Sequence, residues 1–486
     1  MLNPSPVSAP ASMKETTAPF TAVLINPYEL GRQPFALAQT AAWLKGDGFR
    51  VVCLDLSLQK LDPSVLAGAG LVALYVGMHT ATRIALEALP RVRELAPAAH
   101  LCCYGLYAPM NRDLLRERGV GTVLGGEYEP ALLRLAQGLR QGEQPAAQTE
   151  PVISLAKVGF LTPDRSGLPD LARYARLLLP GDDEKVVGFA EGSRGCKHLC
   201  RHCPVVPVYQ GRFRVVPAEV VLEDIAQQVA RGAEHISFGD PDFLNGPSHA
   251  LRLVRQLHAR FPRITYDATI KIEHLLARAD LLPELKATGC LFVTTAAESL
   301  DDTILAHLDK GHARADFERA LGLCRQAGIP LAPTFVPFTP WTTLDGYLDL
   351  LRGLAELDLV ESVPPIQLTI RLLIPQGSWL LRLPGFGNCC RGSTASCWAT
   401  RGTIPIPGWT GCRRRCSRGW PRPRAGGRHA APCSRPCGRW PTRRRAARSP
   451  RCPGRAMASP CRAFPSLGTA APSPPANSCR VFERMR

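Results

Sequence analysis

Cys196, Cys200 and Cys203 stand in the segment GCKHLCRHCP, a C-x3-C-x2-C spacing on a short polar loop. Three thiolates converging on one face of a loop can hold three irons of a [4Fe–4S] cube, which has four iron corners. The remaining corner has no protein ligand and can chelate a small molecule. That open iron separates a catalytic cluster from an electron-transfer cluster with four cysteine ligands. The other chemistry open to this segment is a zinc knuckle in which His198 or His202 completes a tetrahedral set. Zinc sites of that kind draw their second ligand pair from a distant hairpin, and none is evident.

Such a loop needs a rigid frame. From Thr21, short apolar runs (TAVLIN, FRVVCLDL, LVALYVG, HLCCYG, VGTVLGG) alternate with helical stretches over PFALAQTAAWLKGDG, Thr82–Leu95, from Met110 and Glu129–Gly138. This alternation indicates βαβ units on a parallel sheet, so residues 20–140 read as a doubly wound, Rossmann-like domain. Residues 141–185 are polar and Pro-containing and read as a linker with one helix near Leu168–Leu179. A second series occupies 186–385, with strands VVGFAEG, HISFGD, ITYDATI, CLFVTTAA, LAPTFVPF and IQLTIRLLI. Its helices are expected over Pro217–Arg231, Pro247–Arg260, Ala277–Thr288, Asp301–Leu308, Asp316–Gln326 and Leu344–Leu357. Six repeats fall short of a closed eightfold barrel, so the expected fold is α/β with a partial (β/α)6 barrel as its second part. The cysteines follow the first strand of that barrel, at the carboxyl end where barrels do chemistry.

C-x3-C-x2-C after the first strand of such a series, continued by PVVPVYQGRFRVVPAEVVLEDI, resembles the radical S-adenosylmethionine (SAM) superfamily, in the subgroup with an N-terminal cobalamin-binding domain. The resemblance covers roughly residues 20–385. It implies that Cys196, Cys200 and Cys203 hold the cube and that the methionyl amino and carboxylate groups of SAM bind the fourth iron. One electron then cleaves the sulfonium to methionine and a 5′-deoxyadenosyl radical. The family often has an aromatic residue before the third cysteine, where this chain has His202. The segment Phe238-Gly239-Asp240-Pro241-Asp242-Phe243 occupies the place of the family's Gly-Gly-Glu, so Gly239, Asp240 and Asp242 are expected near the SAM ammonium; either acid alone reads equally well as a turn or cap residue. Glu298 and Ser299 match a position that meets the ribose and methionine carboxylate, and Val336 a wall of the adenine site. Burying Glu298 without a partner is costly, which favours a ligand over a helper of the following helix cap. Lys271 and Arg371 either face the barrel interior to hold an anionic group or snorkel to the rim.

Cobalamin domains of the well-known type carry Asp-x-His-x-x-Gly after their first strand. Here the stretch is Asn26-Pro27-Tyr28-Glu29-Leu30-Gly31: Gly31 is kept and Tyr28 stands where the axial His would be. Gly77, Gly105 and Gly126 lie at strand ends, where a macrocycle could approach the backbone or where they act as ordinary turn residues. The cofactors implied are a [4Fe–4S] cluster, SAM and cobalamin. The alternatives are a domain that packs beside the barrel without cobalamin, and a nucleic-acid-binding protein with a metal knuckle.

Composition narrows the classes further. The net charge of +18 sits in one place: from Gly387 to Arg486 there are 21 Arg, no Lys and the single acid Glu483, whereas the first 386 residues hold 38 basic and 40 acidic side chains. That tail also holds 14 Pro and 10 of the 18 Cys, which are not read as metal ligands. Arg without Lys, scattered with cysteines, suggests a G+C-rich gene read out of frame rather than a phosphate-binding arm, so residues 386–486 are expected to be a disordered basic tail and specific nucleic-acid binding is not expected. Residues 1–19 read as a disordered leader. Eight cysteines before the tail make no disulfide scaffold. The longest apolar run, the 12 residues Ala67–Met78, is too short to span a membrane. A cytoplasmic enzyme served by a one-electron donor such as flavodoxin or ferredoxin is the expectation.

Overall fold

The computed structural model describes residues 20–386 apart from 145–147, 149, 180–182 and 385. The leader and the tail from Gly387, with the readings of them as disordered and out of frame, lie outside the described residues.

The first sheet contains β1 (Thr21–Asn26), β2 (Arg50–Asp55), β3 (Ala69–Tyr75), β4 (His100–Tyr104), β5 (Thr122–Gly126) and the short β6 (Ile153–Ser154). Its order is β2-β1-β3-β4-β5-β6 and every pairing is parallel. A parallel sheet is covered on both faces, which is why TAVLIN is apolar nearly throughout and buried along its whole length. Val23, Ile25, Val72 and Leu74 pack with Leu89 and Val92 on one side, while Ala22, Leu24, Leu71 and Ala73 pack with Leu37, Leu44 and Leu132 on the other. In this strand order the winding reverses between β1 and β3, and the crevice at their carboxyl ends is where such folds take ligands.

The second sheet is built from β7 (Arg176–Leu178), β8 (Glu184–Ala190), β11 (His235–Phe238), β12 (Thr265–Thr269), β13 (Cys290–Glu298) and β14 (Leu331–Phe335); a two-stranded hairpin, β9 (Ser193–Gly195) with β10 (Phe213–Val215), stands apart. β8 and β11–β14 run parallel, and β7 adds to the edge antiparallel. Three expectations change. The sixth barrel strand, IQLTIRLLI, is absent as a strand: Pro365–Thr369 is a 3-10 helix and only a Phe338–Arg371 bridge survives. Pro364 and Pro365 have no N–H to start a ladder, and Pro375 closes the run. The helix near Leu168–Leu179 is instead a 3-10 turn at Leu171–Arg173 followed by β7, because the free edge of β8 pairs with residues 176–178. The helix at Ala277–Thr288 is replaced by Ile272–Ala277, a 3-10 turn and Leu282–Ala287, with Pro283 at the second helix's start.

The segment between the sheets does more than span a gap. Arg165, fully buried, donates Nε and Nη2 to the Asp224 carboxylate (2.6 and 2.9 Å), Nη1 to Gln33 Oε1 (2.8 Å) and Nη2 to the Phe189 carbonyl (2.7 Å). Tyr174 donates its hydroxyl to Asp55 Oδ2 (2.8 Å) at the end of β2. Among the described residues no helix is long and apolar enough to cross a membrane.

Candidate active site

The cysteines sit in the loop that leaves β9. Gly195 takes φ 71°, and a Cβ there would fall 2.3 Å from the Arg212 carbonyl, so the close return of β10 beside β9 needs glycine at that point. Cys203 N–H donates to the Cys200 carbonyl (3.1 Å) and Val206 N–H to the Cys203 carbonyl (3.2 Å), which winds the loop tightly into the helix Val205–Tyr209. All three thiols are free, and Asn245 Nδ2 donates to Cys196 Sγ at 3.5 Å. Burial pushes the Cys203 thiol up to about 12 and raises that of Cys196. Thiols so placed ionise only if a cation takes their charge, which suits iron. Among the described residues, the group with ligand atoms all within 4.8 Å of one another is His198, Asp242 and His274.

The loop after β11 carries Gly239, Asp240 and Asp242. The space a Cβ would take at Gly239 is filled by the Phe189 ring. Asp240 accepts from Gly192 N–H (2.9 Å) and the Ser193 hydroxyl; burial raises its carboxyl to about 6 against those bonds. It ties the end of β11 to the approach to the cysteine loop. Asp242 meets His198 Nε2 (3.2 Å) and His274 Nδ1 (2.6 Å), and its Oδ1 accepts from Lys271 N–H (3.2 Å). Burial pushes Asp242 up, but the two imidazoles outweigh it and hold the carboxyl at about 2.

Glu298 ends β13 at a register shift, with φ 66°. Its partner is in the chain itself: Oε1 lies 3.0 Å from His202 Nε2 and 3.4 Å from Lys310 Nζ. Burial raises this carboxyl, yet Lys310 and His202 bring it down to about 2. His202, one residue before Cys203, thus links the third cysteine to β13. Ser299 Oγ accepts from Asp301 N–H (3.0 Å), and Val336 N–H donates to the Glu298 carbonyl (2.9 Å). Lys271 Nζ contacts Glu273 and lies 3.1 Å from His198 Nδ1, while Arg371 stands at the bridge to Phe338. His274 and Lys310 were missed in the sequence. Lysine is rare, 9 against 50 Arg, but that does not separate Lys310 from the other eight.

At the carboxyl edge of the first sheet, Leu30 (φ 53°) and Gly31 (φ 75°) turn the loop after β1, and Tyr28 is half-buried beside them. Tyr75 fills the space a Cβ would take at Gly77 and Gly105, and Gly126 is needed because Ser154 O would lie 2.1 Å from a Cβ there. Arg194, two residues before Cys196, reaches this edge: Nη1 donates to Glu127 (3.0 Å) and Nη2 to Glu129 (2.7 Å). Burial, together with Glu191, raises the Glu29 carboxyl to about 8. Among the described residues, Glu29 Oε2, Glu127 Oε1 and Glu129 Oε2 are buried without a hydrogen-bond partner. Acceptors of that kind suit a ligand rich in N–H donors, as the amide-bearing rim of a corrin is.

Residues 191–351 match the radical SAM superfamily. A protein of Methanocaldococcus jannaschii that bears a provisional methylthiotransferase name is 24% identical over 353 residues, covering 67% of this chain and 74% of its own. Among solved structures, the radical SAM methyltransferase TsrM from Kitasatospora setae, with cobalamin and a [4Fe–4S] cluster bound, superposes with a TM-score of 0.54 at 20% identity, covering 70% of each chain. The cobalamin-dependent SAM radical enzyme OxsB superposes with a TM-score of 0.58 at 16% identity, covering 75% of this chain and 60% of that one. At these identities the structural likeness is one of fold, a parallel sheet in front of a part-barrel.

Proposed function

We propose that this radical SAM enzyme holds a [4Fe–4S] cluster on Cys196, Cys200 and Cys203, binds SAM at the open iron, and takes cobalamin against the carboxyl edge of β1–β5 for a methyl transfer or another radical transformation. The observation that carries the reading is three free cysteines on the loop after β9, inside the superfamily match. The zinc-knuckle alternative gives way to that match. When bound, the cluster passes one electron to the SAM sulfonium and cobalamin carries the transferred group. The chain's own residues prepare the site. Asn245 donates to Cys196, and Lys310, held by Glu298, sets a positive charge near Cys200 and Cys203 that offsets thiolate charge. Gly239, Asp240, Ser299 and Val336 are the strand-end positions proposed to line SAM; Asp240 acts there through its bonds to Gly192 and Ser193, whereas Asp242 is turned to His198 and His274. Tyr28, Gly31, Gly77, Gly105 and Gly126 mark the proposed cobalamin edge, and the Asn26–Gly31 loop would offer a bound cobalamin no histidine. A flavodoxin- or ferredoxin-type donor in the cytoplasm supplies the electron.

Anaerobic reconstitution tests the reading. About four irons with matching acid-labile sulfide, and SAM reduced to methionine, are expected; a Cys200→Ala chain with full iron and full SAM cleavage refutes it. With cobalamin bound as Co(II), the paramagnetic resonance spectrum is expected to lack nitrogen splitting from a protein histidine. The Tyr75 ring over Gly77 and Gly105 favours the second reading, a first domain without cobalamin, and equilibrium dialysis with hydroxocobalamin decides between the two.

A further inference from the structure

The loop after β9 and the ends of β11 and β12 bring His198, Asp242 and His274 to one point. His198 belongs to the cysteine loop, Asp242 follows β11, and His274 lies on the helix Ile272–Ala277 after β12. The ligand atoms His198 Nε2, Asp242 Oδ2 and His274 Nδ1 all lie within 4.8 Å of one another. Two imidazoles and a carboxylate are ordinary partners in a hydrogen-bond network, so the contact alone would not mark a site. These three atoms, however, are buried and make no hydrogen bond of acceptable geometry, although Oδ2 lies 3.2 Å and 2.6 Å from the two nitrogens. Asp242 itself is 1% exposed. Three buried ligand atoms that converge off the line of a good hydrogen bond are arranged to share a cation. Metal–nitrogen and metal–oxygen bonds of about 2.0–2.2 Å put neighbouring ligands about 3.3 Å apart in a tetrahedral set. His198 Nε2, 3.2 Å from Oδ2, is close to that, whereas His274 Nδ1 at 2.6 Å stands nearer than two ligands of one ion do, so the half-buried His274 ring would swing outward on binding.

From this geometry we infer a second metal site, in which a divalent first-row transition-metal ion is bound by His198 Nε2, Asp242 Oδ2 and His274 Nδ1 with its remaining positions open. Two imidazoles with one carboxylate suit iron(II), zinc or manganese. The surroundings supply what such ligands require. His198 Nδ1 lies 3.1 Å from Lys271 Nζ and 3.4 Å from Glu273 Oε2, so the ring ligates through Nε2 in the tautomer whose Nδ1–H turns to Glu273, a carboxylate behind a ligating imidazole, and Asp242 Oδ1 is fixed by Lys271 N–H. Lys271 Nζ is the nearby positive charge, and Glu273 offsets it. The inference neither needs the cobalamin reading nor rests on the cluster. It takes from SAM one of the two acids that the sequence offered to its ammonium, and it fastens the middle of the cysteine loop to the ends of β11 and β12.

The test uses the cluster-loaded full chain, titrated anaerobically with Mn2+, which avoids thiolates, and with Zn2+. Mn2+ uptake is read from loss of the free-ion resonance signal, and Zn2+ from elemental analysis after gel filtration. Each is taken as wild type minus His274→Ala, so that ions held by other cysteines cancel. One ion per chain is expected in the difference, with Asp242→Asn matching His274→Ala and Glu273→Gln binding about 10-fold more weakly. Iron and sulfide contents equal to wild type identify His274→Ala as folded; if it loses them, Glu273→Gln is read in its place. A difference of zero for both ions, or a Glu273→Gln chain with wild-type affinity when His274→Ala is unfolded, overturns the site.

Discussion

The two sheets end in polar clusters of opposite character. At the barrel edge two buried acids have partners from another strand end, Asp240 in Gly192 and Ser193 and Glu298 in His202 and Lys310, and only Asp242 keeps an oxygen, Oδ2, without a hydrogen bond among the described residues. At the edge of the first sheet, Glu29, Glu127 and Glu129 each keep a buried oxygen without a hydrogen bond, and Arg194, the cation that serves two of them, comes from the barrel side. The difference separates a site assembled from its own residues from one that a ligand must complete. It also explains why burial lifts Glu29 to about 8 while Glu298 stays near 2: the one lacks, and the other has, cations at hydrogen-bond distance.

The largest effect that divides the two edges is expected at the cysteines. Cys196→Ala, Cys200→Ala or Cys203→Ala should each abolish reductive SAM cleavage, whereas Cys290→Ala and Cys324→Ala should leave the cluster spectrum intact; iron analysis and methionine release measure both. Next in size is Arg165→Ala, which strands a buried Asp224 where both sheets meet the intervening segment. A loss of about 3–5 kcal/mol in denaturant unfolding is expected, since removing one member of a buried pair leaves the other uncompensated. Arg194→Met should cost less, about 3 kcal/mol or below, because Glu127, already raised by burial, can take up a proton. That loss should grow from pH 6 to pH 9 as protonation becomes harder.

The smallest effect concerns Glu191, whose carboxyl is raised by burial, with Asp240 and Glu129 adding and Arg194 opposing, from an ordinary 4.5 to about 7. The folded chain therefore holds a proton there that the unfolded chain releases, so stability falls as pH rises from about 4.5 to about 7, and the penalty is complete above that. Glu191→Gln should flatten this stretch of the unfolding free energy against pH. An unchanged slope would mean that Arg194 neutralises Glu191 fully and that the first edge is better paired than its orphaned oxygens suggest.

What could be read along the chain was local. The spacing of three cysteines needs only a loop, and strands such as TAVLIN announce themselves because a doubly covered parallel sheet demands continuous apolar runs. The same rule misled at IQLTIRLLI, where an apolar run follows two prolines and becomes a 3-10 turn with one bridge. The charge partners were not legible, because each is a long-range encounter: Arg194 meets Glu127 from 67 residues away, and His202 meets Glu298 from 96. Arg165, an arginine in a polar Pro-containing stretch, gave no sign that it would be fully buried. The amino-acid order by itself therefore determined the two parallel architectures and the close spacing of three cysteines on one loop, since periodicity and spacing act over a few residues. Which acid finds a cation, and which is left for a ligand, was decided only when distant strand ends met, because the worth of a buried charge depends on neighbours that only folding supplies.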